Sequence, residues 1–281
     1  MNFNILYRGY LSSCNFSCDY CPFAKQQDDK SAREKDQHAL RRFVQWVQRS
    51  QYDLNVLFTP WGEALIRKWY QQALVELSHC ASVRKVAVQT NLSCKLDWLR
   101  QCKTETTALW VSYHPSEMVL DSLLVKCEQL LSIGIRFSVG MVGLVEHIPV
   151  LQQLRKHLPN SVYVWVNACK APAVNYSAAQ IQQIVSIDPC FEDNLRNYRS
   201  LNELCFTGED TFSVRADGGV SRCHFTAEEL GNIYEQDLLD LVGERPCPRG
   251  VCDCHIGYVH MKRLNLRNKY KTGLLERILY I

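Results

Sequence analysis

Phe3-Asn4-Ile5-Leu6-Tyr7-Arg8 runs through Leu11-Ser12-Ser13 into Cys14-Asn15-Phe16-Ser17-Cys18-Asp19-Tyr20-Cys21. The first part is apolar with little polar alternation, as a strand buried on both faces requires. The second places three cysteines, spaced Cys-x3-Cys-x2-Cys, in the loop that follows the strand. Thiolates this close can wrap one face of an iron–sulfur cubane, because each step advances the chain by only a few ångströms. A fully ligated four-iron cluster takes four cysteines, and the next in the chain is Cys80, so one iron would stay open to an exogenous ligand. Spacing alone leaves open a zinc site with a distant fourth ligand, or free thiols.

Further apolar runs at 54–58, 85–90, 108–112, 135–141 and 162–166 resemble the first and read as buried strands. Helix-periodic segments lie between them. In 39–48, Leu40, Phe43, Val44 and Val47 share a face, and a helix after Pro60 and Gly62 carries Trp69, Ala73, Leu74 and Leu77. Segments 120–133 and 148–157 follow the same pattern, and Ser177 is a fitting N-cap for a helix through Ile187. Strand–helix units in series imply a parallel sheet with right-handed crossovers. Six units are too few for a closed eight-stranded barrel, so the fold class is α/β, a partial (β/α)6 TIM-like barrel. Its reactive groups belong at the C-terminal strand ends.

After about residue 190 the style changes. Segments 211–216 and 220–222 flank Asp217-Gly218-Gly219, a hairpin signal. Cys205, Cys223, Cys247, Cys252 and Cys254 follow one another in a region poor in core, which needs a staple. The chain therefore divides into a barrel, 1–190, and a small cysteine-rich C-terminal domain, 191–281. Cys80, Cys94, Cys102, Cys127, Cys169 and Cys190 stand singly and read as small buried hydrophobes.

The formal charge of +3 implies neither a nucleic-acid nor a membrane partner. There is no signal-like start and no apolar stretch of about 18 residues, so a cytoplasmic protein is expected. In a chain without a secretory signal, clustered thiols indicate metal or redox chemistry rather than disulfides.

The cysteine motif with Tyr20 just before its third cysteine resembles the signature of the radical S-adenosylmethionine (SAM) superfamily. In that family Cys14, Cys18 and Cys21 would hold a [4Fe–4S] cluster whose open iron chelates SAM, with Tyr20 beside the adenine. Thr59-Pro60-Trp61-Gly62-Glu63 ends the second strand where the family carries Gly-Gly-Glu, which binds the methionine amino group. Trp61 departs from that motif; Gly62 and Glu63 keep it. Asn91 in Thr90-Asn91, then Ser112 and His114, stand at the next strand ends, where the family contacts ribose and carboxylate. Val142, in Gly140-Met141-Val142-Gly143, stands where small residues admit adenine.

The later cysteines are similar to the SPASM and twitch auxiliary-cluster domains, five thiols fitting the single-cluster twitch form. Four of Cys205, Cys223, Cys247, Cys252 and Cys254 would ligate an auxiliary [4Fe–4S] cluster, Cys205 and Cys223 among them. A structural zinc ribbon, with His224 or His255 as further ligands, is the competing reading. The resemblance implies hydrogen abstraction from a small-molecule or peptide substrate, with a flavodoxin- or ferredoxin-type reductant. An auxiliary cluster would accept an electron or bind substrate. A redox-neutral epimerase or sulfur-inserting enzyme is the alternative within the class, and a non-catalytic zinc protein the alternative outside it. Because the chain starts almost at the first strand, a small molecule or a partner-presented peptide is expected. The basic stretch Lys262, Arg263, Arg267, Lys269, Lys271 and Arg277 reads as a solvated amphipathic helix packed on the barrel, rather than a docking site for an acidic reductant.

Overall fold

The computed structural model describes residues 1–23, 26–171 and 174–279, and in it the six apolar runs are six parallel strands. These are β1 (Asn2–Arg8), β2 (Asp53–Phe58), β3 (Val83–Thr90), β4 (Thr107–Ser112), β5 (Arg136–Val142) and β6 (Tyr163–Asn167), side by side in chain order. Successive side chains point to opposite faces of a strand. Ile5, Tyr7, Val56, Phe58, Val86 and Val88 belong to an outer core with the helices. Leu6, Leu57, Ala87, Ala108, Trp110, Tyr163 and Trp165 form an inner one. With both faces covered, the strands have no reason to alternate apolar with polar residues.

α1 (Lys30–Arg49), α2 (Lys68–Ser78), α3 (Leu120–Ile133), α4 (Ile148–His157) and α5 (Ala178–Val185) supply the crossovers and the cover. Between β3 and β4 the connection is short and holds only a 3-10 turn, Asp97–Gln101, instead of a full helix. Ser177 caps α5 in a reciprocal box: its hydroxyl accepts from the Gln180 amide while its own amide donates to Gln180 Oε1. Among the described residues no helix is long and apolar enough to cross a membrane.

After α6 (Phe191–Leu195) come β7 (Tyr198–Arg199), β8 (Thr211–Arg215), β9 (Gly219–Ser221), β10 (Glu229–Asn232) and β11 (Val251–Cys252). The hairpin β8–β9 forms where the turn signal lies, with Gly218 at φ +91°. It does not stand apart from the barrel. β8 pairs in parallel with β1, Ile5 beside Phe212 and Tyr7 beside Val214, so one sheet runs from β10 to β6. The physical reason is the edge of β1: its unpaired amides and carbonyls need a partner strand.

The C-terminus corrects one expectation. Instead of a solvated amphipathic helix, 255–279 folds as short turns that fill the barrel: α7 (His255–Tyr258), α8 (Arg267–Tyr270) and two 3-10 turns. Asn265 and Lys271 take positive φ and break the helical path. Ile256, Tyr258, Val259, Met261, Leu266, Tyr270 and Leu275 pack against the inner strand faces. The basic residues are largely paired with acids: Lys262 with Glu209 and Glu244, Arg263 with Glu203, Arg267 with Asp210, and Lys269 with Asp193. Glu276 and Arg277 are wholly buried. Glu276 pairs with Lys85, and Arg277 donates to Asn167 Oδ1 at 2.6 Å with its guanidinium 4.7 Å from the Trp165 ring.

Glu276→Ala would leave Lys85 buried without its counter-charge. It is expected to destabilise the fold by about 3–5 kcal/mol, read as a lower urea midpoint. An unchanged midpoint would show that the C-terminal plug does not stabilise the barrel.

Candidate active site

Two carboxylates, Asp28 and Asp36, anchor the loop that carries the first cysteines. Asp28 accepts from the amides of Ser12 (3.1 Å) and Ser13 (2.8 Å) and from both hydroxyls (2.6 Å each). Asp36, buried in α1, accepts from the Leu11 amide at 2.9 Å, Trp69 Nε1–H at 2.8 Å and the Tyr70 hydroxyl at 3.3 Å. Its place on the apolar stripe with Leu40 and Phe43 is the signal that identifies it in the sequence. From the other side, Gly62 N–H donates to Leu11 O at 3.2 Å and Glu63 N–H to Ser13 O at 3.1 Å. A Cβ on Gly62 would lie 2.1 Å from Ser13 O, so only glycine lets these backbones meet.

Glu63 reaches over to the end of β3. Its Oε1 accepts from Leu65 N–H (2.9 Å) and Thr90 Oγ1–H (2.7 Å), and its Oε2 from Asn91 N–H (2.6 Å). Burial raises its pKa, and those hydrogen bonds oppose the rise. Asn91 in turn donates from Nδ2 to Cys14 Sγ at 3.6 Å. At the end of β4, His114 Nδ1 lies 3.2 Å from Cys18 Sγ and 2.9 Å from the Tyr20 hydroxyl, with the His114 and Tyr20 rings stacked. Burial pushes His114 down to about 4, so its imidazole is neutral at physiological pH.

These side chains line one cavity of about 510 Å³ at the C-terminal strand ends. Cys14, Cys18, Cys21, Tyr20, Gly62, Glu63, Asn91, Ser112, His114 and Val142 all reach it. Gly140 and Gly143 do not line it. Gly140 is required for packing instead, since a Cβ there would fall 1.9 Å from Trp165 O. Sequence reasoning missed Arg8, Trp110 and Lys170 on the wall. Trp61 is 42% exposed at the cavity, its ring 4.5 Å from that of Phe23 and 3.8 Å from the Arg8 guanidinium.

No family model matches the chain, and no curated protein does. Solved structures do. Native anSMEcpe with bound AdoMet and the Kp18Cys peptide aligns at TM-score 0.57 and 14% identity, covering 86% of this chain and 80% of that one. Native anSMEcpe with bound AdoMet aligns at TM-score 0.57 and 15% identity, covering 85% and 80%. The form with the Cp18Cys peptide gives TM-score 0.56 and 14% identity, covering 86% and 80%. The chain has the fold of these AdoMet-bound structures.

Within that fold the donor set suits an iron–sulfur group. Burial pushes up the Cys14 and Cys18 thiols, so their ionisation calls for a bound cation. Among the described residues no three His, Cys, Asp or Glu side chains close on one point as a single metal ion demands. Thiolates of a four-iron cluster sit on separate irons and need no shared centre. Of the second cysteine group, Cys205, Cys223, Cys247 and Cys252 line a small separate cavity of about 20 Å³, whereas Cys254 lines the large one. Arg222, 1% exposed, also lines the small cavity, and its Nε–H lacks an acceptor. A buried guanidinium so placed fits an anionic cluster.

Gly62→Ala is expected to force the cysteine loop off the end of β2. Anaerobically reconstituted protein should then hold about four irons instead of about eight, by colorimetric count. Full iron in this variant would contradict the close approach of the two backbones as the constraint on the loop.

Proposed function

We propose that this chain is a radical SAM enzyme acting on a small-molecule or peptide substrate, with an auxiliary [4Fe–4S] cluster in its second cysteine group. The observation that carries the reading is the sharing of one cavity by three closely spaced thiols and the Glu63–Asn91 pair at neighbouring strand ends. Its volume of about 510 Å³ lies in the range of cofactor and substrate sites.

When bound, the cluster would supply the electron for reductive cleavage of SAM, and with it the means of radical hydrogen abstraction from substrate. The protein's own residues orient and enclose. Cys14, Cys18 and Cys21 would hold the cluster. Glu63, its carboxylate held by three donors, fixes the β3 end and offers its oxygens to a cationic ammonium group nearby. Tyr20 and Val142 offer apolar contact for adenine, and Ser112 and His114 offer polar contact for ribose or carboxylate. Phe23 and Trp61 screen the rim from water, which a reactive radical requires. The bound peptides of anSMEcpe favour a peptide among substrates. The electron comes from a low-potential donor of the flavodoxin or ferredoxin type.

Anaerobic reconstitution tests the reading. The protein should be brown with about eight irons, and should form methionine and 5′-deoxyadenosine from SAM under dithionite. Cys18→Ala should lose half of that iron and all of that cleavage. A colourless zinc-loaded protein, or a Cys18→Ala variant cleaving SAM at the normal rate, would remove it.

A further inference from the structure

The second cysteine group offers five thiols for the four positions of a cubane, and the fold divides them between two cavities. Cys205 is tied by an antiparallel bridge to Met261. Cys247 N–H donates to Glu203 O at 3.0 Å, and Cys247 O accepts from Asn202 N–H at 2.8 Å. Cys252 lies on β11 opposite Tyr198. Its sulfur sits so near α7 that a Cβ at Gly257 would come within 2.7 Å of it. With Cys223, these three ring the small cavity. Cys254 stands differently. It caps α7, its carbonyl accepting from Gly257 N–H (2.9 Å) and Tyr258 N–H (3.0 Å), and its neighbours Asp253, His255 and Ile256 line the large cavity with it.

A second, independent observation is the charge at the small cavity. Arg222 donates from Nη1 to the carbonyls of Arg245 and Pro246, and among the described residues it forms no ion pair with a carboxylate. A buried cation without an anion is costly, and four thiolates on one cluster supply the missing negative charge at that place.

We infer that Cys205, Cys223, Cys247 and Cys252 ligate the auxiliary cluster, and that Cys254 remains a free thiol facing substrate in the active cavity. The inference rests on the radical SAM reading and adds to it. Full thiolate ligation leaves no open iron, so the auxiliary cluster neither binds substrate nor donates sulfur. So held, it would be able to accept the one electron given up when a substrate radical loses a proton to water. Together with the hydrogen atom already abstracted, this completes a two-electron oxidation. Cys254, half-buried beside the buried His255, is the sulfur that substrate meets.

Two measurements on the anaerobic holoenzyme decide it. Iron counts should stay at about eight for wild type and Cys254→Ala, and fall by half for Cys247→Ala and Cys252→Ala. Iodoacetamide followed by peptide mapping of the wild type should label Cys254, more slowly when SAM is present, and spare the other four. Loss of half the iron in Cys254→Ala would overturn the assignment, as would a Cys254 that stays unlabelled in the holoenzyme. The labelling arm needs no variant to fold. Wild-type protein without any iron would instead defeat the radical reading itself.

Discussion

Two backbone hydrogen bonds, from Gly62 to Leu11 and from Glu63 to Ser13, set the geometry on which this end of the molecule depends. They bring the loop after β1 onto the end of β2 so closely that no side chain fits at position 62. The same residue whose amide closes the loop, Glu63, sends its carboxylate across to Thr90 and Asn91 at the end of β3. Asn91 then reaches back to Cys14. The first three strand ends are thus one hydrogen-bonded circuit, in which the cysteine loop has little freedom to move apart from its neighbours. Preorganisation of this kind is what a site needs when it must hold a cofactor and a substrate carbon in register.

The inner core solves a different problem. Six strands do not close a barrel, and the space they half-enclose would fill with water unless something else occupied it. The C-terminal turns occupy it, with Tyr258, Met261, Leu266 and Tyr270 against Leu6, Leu57, Trp110 and Trp165. They carry charges with them, and each finds a counterpart: Glu276 meets Lys85, and Arg277 meets Asn167 and the Trp165 ring. With the interior filled, the open space that remains is the cavity at the C-terminal strand ends.

Much of this was legible in the sequence, for identifiable reasons. A strand buried on both faces writes a continuous apolar run, and all six runs are strands of the barrel. Capping chemistry is local, so Ser177 announced α5 directly. What stayed hidden depends on contacts distant in sequence. Nothing around Thr211 indicates that β8 lies beside β1, and nothing around Arg277 marks it as interior. The basic C-terminal stretch has helical periodicity, yet the barrel's need for filling overrides it. Trp61 shows the reverse: a departure from the family pattern is plain in the sequence, but its contacts with the Phe23 ring and the Arg8 guanidinium are not.

The placement of arginine ties the two halves together. Arg8 projects from the end of β1 into the large cavity, and Arg222 lines the small one. Burial lowers Arg8 to about 10, and the nearby Cys254 and Cys223 oppose that shift, so it remains a cation at neutral pH. Two guanidiniums beside two sets of thiols are poorly suited to a protein that keeps those thiols protonated, because a neutral sulfhydryl does little to offset a buried charge. They would suit thiols kept ionised on metal, as proposed for both cysteine groups apart from Cys254. A lysine in either place could discharge by losing its proton on burial, whereas arginine holds its charge, and each cavity therefore retains a fixed positive potential. The segment 252–257 and Phe225 stand between them: Cys252 faces the small cavity, Cys254 the large one, and Phe225 lines both.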